Sequence, residues 1–182
     1  MDALKDQHVL ILGLGHSGLA MARWCARQGA RVTVADTREA PPQLQALRSE
    51  LPDAGFVAGA FDASLVEAAD VRAVFKSPGL APADTAAVMD AAAARGLWCG
   101  GELGLFARAL ADLRDTQAYA PVVLAVTGTN GKTTVAALTG QLIERAGRKV
   151  AVAGNIGPTL LDTLSVKLDA GDLPQVWVLE LS

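Results

Sequence analysis

The sequence is poor in the residues on which disulfide-linked and metal-binding proteins depend. It has only two cysteines among 182 residues, and neither Cys25 nor Cys99 stands in a CxxC pair or beside histidines. We therefore expect both to be reduced, buried thiols, without a disulfide framework or a structural zinc site. This use of cysteine is typical of a cytoplasmic protein.

Long apolar runs and an excess of charge of one sign are also missing. No stretch approaches the roughly 18 apolar residues that a membrane-spanning helix needs, and no secretory signal precedes the first apolar run. The formal net charge is −3, and the 16 basic residues are scattered along the chain. We therefore expect no membrane and no nucleic acid among the partners.

Small and aliphatic residues are abundant: 51% of the residues are hydrophobic, although only 4% are aromatic. Short apolar runs alternate with longer helical patterns, which predicts an α/β fold with a parallel sheet. The strands predicted in the first half are residues 8–12, 31–35, 55–58, 73–76 and 97–99. The helices predicted there are residues 17–28, 42–50, 63–68, 85–95 and 101–115, the fourth with Asp84 as its N-cap.

The pattern starts again after the polar segment DTQAYAP, which we interpret as a linker between domains 1–115 and 116–182. Beyond it we predict strands at residues 122–126, 149–153 and 176–182 and helices at residues 135–146 and 158–168. The last run, VWVLELS, reaches the final residue, where a central parallel strand would have uncovered faces and a free edge. We therefore expect the chain to be part of a longer protein.

A glycine-rich turn follows the first predicted strand, with Gly13, Gly15 and Gly18 around His16 and Ser17. In such turns the glycines allow a tight bend, close approach of the backbone to phosphate and close packing of helix on strand. The following helix adds free N–H groups and the positive end of its dipole. The motif predicts a diphosphate site, and it leaves open which nucleotide carries the diphosphate.

Two further segments end strands at the same carboxyl edge of the predicted sheet. Asp36 stands where dinucleotide-binding proteins hold ribose hydroxyls, but together with Thr37 and Arg38 it could equally read the edge of a pyrimidine base. The fourth strand is followed by Ser77, Pro78 and Gly79. Open α/β sheets bind ligands at this edge, although a plain turn explains the second segment equally well.

A second phosphate-binding loop, TGTNGKTT, lies between a strand and a helix in the second half. The residues predicted to hold ATP are Gly128, Thr129, Asn130, Gly131, Lys132, Thr133 and Thr134. Lys132 is predicted to reach the β and γ phosphates, and the Thr133 hydroxyl is predicted to meet Mg²⁺. Strict Walker A spacing would require a glycine where Val126 stands, so the loop is a variant of that motif.

Two polar side chains end other strands of the second half. Glu180 lies in a strongly apolar run, where a carboxylate is costly unless it meets a cation. Mg²⁺ beside a triphosphate would satisfy Glu180 as it satisfies a Walker B acid; a solvent-facing strand end is the alternative. Asn155, in the segment GNIG, either faces the bound phosphates or belongs to a simple turn.

A GxGxxG domain followed by TGTNGKTT resembles the Mur ligases, the ATP-dependent amino-acid ligases of peptidoglycan synthesis. The motifs that carry the resemblance, at residues 13–18, 36–38, 77–79, 127–134, 154–157 and 179–182, span the whole chain. The segments DTR and SPG favour the member that adds D-glutamate to UDP-N-acetylmuramoyl-L-alanine. A MurC-type or other UDP-muramoyl amino-acid ligase is the alternative.

The resemblance implies a Rossmann-like first domain that holds the uridine diphosphate of UDP-N-acetylmuramoyl-L-alanine. The glycine turn, including the backbone at His16 and Ser17, would take the diphosphate, and residues 36–38 would take the uracil end. The loop at residues 77–79 would close on the nucleotide, and Asn155 would face the substrate. An isolated glycine motif would instead favour an NAD-binding oxidoreductase.

The resemblance also implies that the second half is the first part of a P-loop α/β central domain. ATP and Mg²⁺ would be its cofactors, with Thr133 and Glu180 as metal ligands and Lys132 and Asn155 as catalytic residues. ATP would phosphorylate the L-alanine carboxylate, and the amine of D-glutamate would attack the acyl phosphate. The D-glutamate site would lie beyond Ser182, so we expect the chain to be inactive alone and the full-length enzyme to be monomeric.

Overall fold

Strands and helices alternate along the chain as the sequence predicts. The structure, a computed structural model, describes residues 4–67, 70–155 and 157–181. Its strands are β1 (His8–Leu12), β2 (Arg31–Asp36), β3 (Gly55–Ala58), β4 (Val71–Lys76), β5 (Trp98–Gly100), β6 (Val122–Val126), β7 (Val150–Gly154) and β8 (Val176–Glu180). Its helices are α1 (His16–Arg27), α2 (Leu44–Glu50), α3 (Ser64–Glu67), α4 (Pro82–Ala94), α5 (Glu102–Gln117), α6 (Lys132–Arg145) and α7 (Leu160–Asp169).

The first five strands form one parallel sheet in the order β3-β2-β1-β4-β5. The chain starts in the middle of the sheet, moves outward on one side and then returns to the other, so the strand order reverses between β1 and β4. Open α/β sheets bind ligands outside the carboxyl ends of their strands at such a reversal. This topology confirms the Rossmann-like fold, and it makes the carboxyl ends of β1 and β4 the expected place for a ligand.

The central strands β1 and β4 are largely buried, which is why they are almost continuously apolar, whereas the edge strand β3 is mostly exposed. On one face of β1, Leu10 and Leu12 pack with Val74 of β4 and Val88 of α4. On α1, the buried side chains include Met21 and the residues around it. This packed core holds the strands in place, so the loops at their carboxyl ends start from well-defined positions.

The second sheet has the order β6-β8-β7 and is also parallel. All five residues of β8 are buried, and the strand pairs with a neighbour on each side. The expectation that the last apolar run would present uncovered faces and a free edge is therefore wrong for β8. The strand ends at Glu180, which pairs in register with both Val126 and Gly154; Ser182 lies outside the described residues.

Two helix starts of the first half differ from the prediction by more than one residue. Helix α4 begins at Pro82, three residues early, because the fixed φ of proline suits the first helical turn. Its N-cap is Ala81, and Asp84 lies in the first turn instead of capping the helix. Helix α2 begins at Leu44, so Pro42 precedes the helix instead of starting it.

Helix α5 continues to Gln117 and includes the start of the segment that we interpreted as a linker. The chain forms two compact units, Met1–Leu105 and Phe106–Ser182, whose division falls within α5. The domain boundary after residue 115 stays a prediction. In the described part of the chain, no helix has both the length and the apolar character needed to cross a membrane.

Candidate functional site

The three glycines of the first turn have three different structural roles. Gly13 adopts a left-handed conformation with φ of 87°, which bends the chain as it leaves β1. A Cβ at Gly18 would lie 1.9 Å from the Gly13 carbonyl oxygen, so only glycine allows α1 to approach the strand this closely. Gly15 is the N-cap of α1, has ordinary backbone angles and would meet nothing within 4 Å. The backbone at Gly15 is therefore open to a ligand.

The carboxylate of Asp36 fastens this turn to the end of β2. Its side chain is 2% exposed, and Oδ2 accepts a hydrogen bond of 2.7 Å from the backbone N–H of Leu14. Arg38 donates from Nε to Oδ1 and from Nη2 to Oδ2, both at 2.8 Å, and its backbone N–H donates to Oδ1 at 3.0 Å. These contacts, led by the Arg38 guanidinium, lower the pKa of Asp36 to about 2.

The loop after β4 is attached to the same turn. The backbone N–H of Ser77 donates to Leu12 at 2.9 Å, and its hydroxyl donates to the Gly13 carbonyl at 3.1 Å. Pro78 and Gly79 follow as exposed residues of the turn. The structure thus brings together the three predicted segments of the first unit, at the point where the strand order reverses.

Two residues at this edge were not predicted from the sequence. Lys76 ends β4 and donates from Nζ to the Leu80 carbonyl at 2.9 Å, which closes the 77–80 loop. The Nε2 atom of Gln43, the N-cap of α2, lies 3.5 Å from Nδ1 of His16. Neither residue belongs to a motif, and only the fold brings Gln43 back to the glycine turn.

The second unit carries the TGTNGKTT loop between β6 and α6. Gly128 and Gly131 have φ of 147° and 76°, which other residues rarely adopt, and a Cβ at either position would meet nothing within 4 Å. Helix α6 begins at Lys132, three residues before the predicted start, because Gly131 ends the loop as its N-cap. Lys132 Nζ donates to the Gly128 carbonyl at 2.7 Å, so the lysine folds back over the loop.

Glu180 lies beside the start of this helix. Its side chain is 6% exposed, and its Oε1 accepts a hydrogen bond of 3.0 Å from the Thr133 hydroxyl. Among the residues that the structure describes, no lysine or arginine forms an ion pair with Glu180. The Thr133 hydroxyl is thus the hydrogen-bond donor that this buried carboxylate meets.

Asn155 follows β7 at the same edge of the second sheet. Its backbone N–H donates to the Glu180 carbonyl at 3.0 Å, and its side chain is exposed. A Cβ at Gly154 would lie 2.1 Å from the Glu180 carbonyl oxygen, so glycine is required for this close approach. Ile156 of the GNIG segment lies outside the described residues. The structure therefore gathers Thr133, Glu180 and Asn155 around the phosphate-binding loop.

The opposite edge of the first sheet carries a separate polar cluster. His8 Nδ1 lies 3.0 Å from Asp70 Oδ1, His8 Nε2 lies 2.8 Å from Thr33 Oγ1, and Arg31 also pairs with Asp70. A cavity of ≈ 640 Å³ borders Arg31 and Asp70. These contacts join the amino ends of β1, β2 and β4, whereas the segments described above lie at the carboxyl ends.

Two family models match the chain. The model of the "Mur ligase MurD-like, N-terminal domain" matches residues 7–100, which are more than half of the chain. The chain belongs to the Mur ligase family, on its MurD-like branch. The model of the "Mur ligase middle domain" matches residues 126–182, which include the TGTNGKTT loop. The family predicted from the motifs is thus confirmed.

Relatives of this Mur ligase chain carry the same name in several bacteria. A UDP-N-acetylmuramoylalanine–D-glutamate ligase of Albidiferax ferrireducens is 73% identical over 182 residues, which are 100% of this chain and 36% of that protein. The ligase of the same name from Ralstonia nicotianae is 60% identical over 181 residues, covering 98% of this chain and 36% of that protein. The chain thus spans about a third of the length of these curated relatives.

A solved structure shows the same fold. The UDP-N-acetylmuramate:L-alanyl-gamma-D-glutamyl-meso-diaminopimelate ligase from Neisseria meningitides matches with a TM-score of 0.50 and 18% sequence identity. The match covers 96% of this chain and 52% of that structure. At this identity the likeness supports the two-sheet α/β architecture and no more.

Proposed function

We propose that the first unit binds the uridine diphosphate of UDP-N-acetylmuramoyl-L-alanine at the reversal point of its sheet. The open backbone at Gly15, with His16 and Ser17 at the start of α1, would take the diphosphate. Thr37 and Arg38 would take the uracil end, since hydroxyl and guanidinium donors suit the carbonyl oxygens of a pyrimidine. The Ser77–Gly79 loop, held on the Gly13 carbonyl, would close on the nucleotide.

The observation that carries this proposal is the complete engagement of Asp36. A carboxylate offers about four lone-pair sites, and Asp36 accepts four hydrogen bonds from Leu14 and Arg38. No acceptor site is left for the ribose hydroxyls that an acid at this position holds in dinucleotide-binding proteins. The motif therefore lacks the free ribose-binding acid that is typical of NAD-binding proteins.

We propose that the second unit binds ATP with Mg²⁺. The Lys132 ammonium would leave the Gly128 carbonyl for the β and γ phosphates, and the backbone N–H groups of residues 128–134 would cradle them. Thr133 and Glu180, already joined by a hydrogen bond, would hold the metal ion. Bound Mg²⁺ supplies neutralisation of the phosphate charge. Asn155 would face the substrate from the end of β7.

These two sites fit the activity that the relatives' names describe, the joining of D-glutamate to UDP-N-acetylmuramoyl-L-alanine. In that reaction an oxygen of the alanine carboxylate would attack the γ phosphorus of ATP and release ADP. The amine of D-glutamate would then attack the acyl carbon, lose a proton and expel phosphate as the amide forms. We propose the complete reaction, in the cytoplasm, for proteins of the relatives' full length, and the two nucleotide sites for this chain.

Calorimetric titration tests both sites. UDP-N-acetylmuramoyl-L-alanine and UDP should bind with a stoichiometry of one, and NAD should give no binding heat. Binding of NAD with indifference to UDP would contradict the assignment of the first unit.

The second site is tested in the same way with ATP and MgCl₂. Lys132→Ala should lower the ATP affinity by at least about tenfold, since a charge-assisted contact to phosphate is lost. The same variant should leave UDP binding unchanged. Equal ATP affinity in the variant and the parent chain would contradict the role of the loop.

A further inference from the structure

A lysine ends the interior strand β4, at the point where the strand order of the first sheet reverses. The side chain of Lys76 is only partly exposed, although parallel strands between two neighbours are usually apolar throughout. Within the described part of the chain, no carboxylate forms an ion pair with its ammonium. A carbonyl compensates a partly buried charge less well than a carboxylate does, so stability alone does not explain this lysine.

The carbonyl that Lys76 contacts belongs to the last residue of a tight turn. The backbone N–H of Leu80 donates to the Ser77 carbonyl at 3.2 Å, so residues 77–80 form a β-turn. At the start of this turn the Ser77 hydroxyl donates to the Gly13 carbonyl at 3.1 Å. At its end the Leu80 carbonyl accepts from Lys76 Nζ at 2.9 Å. The turn is thus held at both ends, and the two residues between them are exposed.

The same turn packs on the start of the glycine turn. A Cβ at Gly13 would lie 3.0 Å from Leu80 Cδ1 and 3.2 Å from Ser77 Cβ. The Leu80 side chain is also packed against the buried cluster that includes Leu10 and Leu12 of β1. A displacement of the 77–80 turn would therefore open the space beside Gly13, where the chain leaves β1.

We infer that Lys76 is a positioning residue for nucleotide binding, because its ammonium holds the 77–80 turn, through the Leu80 carbonyl, in the place from which the turn closes on the nucleotide. This inference rests on the proposed function of the first unit and gives Lys76 no contact with the nucleotide itself. The contact presents the exposed residues Pro78 and Gly79 in one conformation before the ligand arrives. A ligand that meets a turn already ordered avoids the entropic cost of ordering it.

NMR titration with UDP compares the parent chain with three variants. Lys76→Met, which keeps the length of the side chain and removes the donor, should weaken UDP binding about three- to tenfold, the size of one ordinary hydrogen bond. Lys76→Arg, which keeps a donor and the charge, should restore most of the lost affinity. Lys5→Met, at an exposed lysine before the amino end of β1, is the matched control and should bind UDP like the parent chain.

Salt separates positioning from simple attraction between the lysine charge and the diphosphate. At about 1 M salt the Debye length is about 3 Å, so a loss of affinity caused by charge alone would vanish there, whereas a loss of positioning should persist. Disappearance of the difference between Lys76→Met and the parent chain at this salt concentration would overturn the inference.

Amide hydrogen exchange separates positioning from a general effect on stability. The Leu80 amide should exchange faster in Lys76→Met than in the parent chain, while the urea midpoint of unfolding stays the same. In the parent chain, UDP should slow the exchange of the Leu80 amide and leave that of Gly96, in the turn before β5, unchanged. A lower urea midpoint with unchanged UDP affinity would show that Lys76 acts on stability only, and would overturn the inference.

Two further results separate this inference from the proposed function. If UDP binds the parent chain and Lys76→Met equally well, the inference is wrong and the proposed function stands. If UDP does not bind the folded parent chain, the proposed function fails, and the inference fails with it.

Discussion

A single buried carboxylate connects the glycine turn to the segment after β2. Asp36 joins Leu14 and Arg38 by charge-assisted hydrogen bonds, and its pKa falls to about 2 as a result. The folded-state pKa is lower than the ordinary value of 3.8. The stabilising contribution is therefore complete above the unfolded-state pKa, and it is lost as the pH falls through the folded-state pKa.

Asp36→Asn should lower the free energy of unfolding by about 2 kcal/mol at neutral pH, the equivalent of this pKa shift. The difference from the parent chain should shrink as the pH falls from about 4 to about 2, where the parent carboxylate becomes protonated. Urea denaturation at about pH 7 and about pH 3 measures both quantities. Asp53→Asn, at an exposed position, is the matched control and should change little. An equal loss at both pH values would contradict the account of Asp36.

The start of α1 contains two glycines in opposite surroundings: one has no space for a side chain and the other has open space. A Cβ at Gly18 would lie 1.9 Å from the Gly13 carbonyl oxygen, whereas a Cβ at Gly15 would meet nothing within 4 Å. The first is needed for packing of helix on strand, and the second leaves the backbone accessible. Stability and ligand binding can therefore be separated by two substitutions only three positions apart.

Gly18→Ala should destabilise the chain by about 3 kcal/mol, since the added methyl forces the helix away from the strand. Gly15→Ala should cost only about 0.5–1 kcal/mol, because alanine is a poorer N-cap than glycine. It should weaken UDP binding at least about tenfold, because the methyl would stand where the diphosphate approaches. Thermal unfolding and calorimetry measure the two effects. Unchanged UDP affinity in Gly15→Ala would contradict the placement of the diphosphate.

Two hydrogen bonds of the Tyr119 hydroxyl, both within the second unit, hold the segment after α5 in place. The Tyr119 hydroxyl donates to the Pro174 carbonyl at 2.6 Å and accepts from Trp177 Nε1 at 2.8 Å. Trp177 is fully buried and also packs edge-to-face on Phe106, with ring centroids 5.0 Å apart. The segment that the sequence presents as a polar linker is therefore anchored on β8.

Tyr119→Phe should lower stability by about 1–3 kcal/mol, because the buried indole N–H loses its acceptor. Chemical denaturation measures this loss. In the background of Trp177→Phe the same substitution should cost much less, since no indole N–H remains to be satisfied. Equal losses of unfolding free energy in the two backgrounds would show that the hydrogen bond between Tyr119 and Trp177 does not contribute to stability.

Along the chain as a whole, the sequence predicts the bounds of the strands better than the first residues of the helices. The strands β1, β3 and β6 have the predicted bounds, because each is an apolar run closed by polar or glycine residues. Helices α1, α4 and α6 begin after Gly15, Ala81 and Gly131, which offer no capping side chain as a signal. Local sequence therefore does not mark where these helices begin.

Pairing between distant segments is the second limit on prediction. The apolar sequence of β8 indicates burial, but only the sheet order shows that β8 lies between β6 and β7. The motifs likewise predict which residues lie at the carboxyl edges, whereas the contacts of Gln43 with His16 and of Asp36 with Leu14 depend on tertiary structure. Asp36 in particular holds the turn through contacts that no short motif describes.

We propose that one chain carries two separate nucleotide sites, the first for a uridine diphosphate and the second for ATP with Mg²⁺. Backbone amide NMR of the labelled chain, titrated separately with UDP, ATP with Mg²⁺, and NAD, tests it most directly. UDP should shift the amide resonances of residues 13–18, 36–43 and 77–79. ATP with Mg²⁺ should shift those of residues 128–134, 155 and 180, and NAD should shift neither set. Shifted resonances of residues 13–18 with NAD but not with UDP would show instead that the glycine turn binds a dinucleotide.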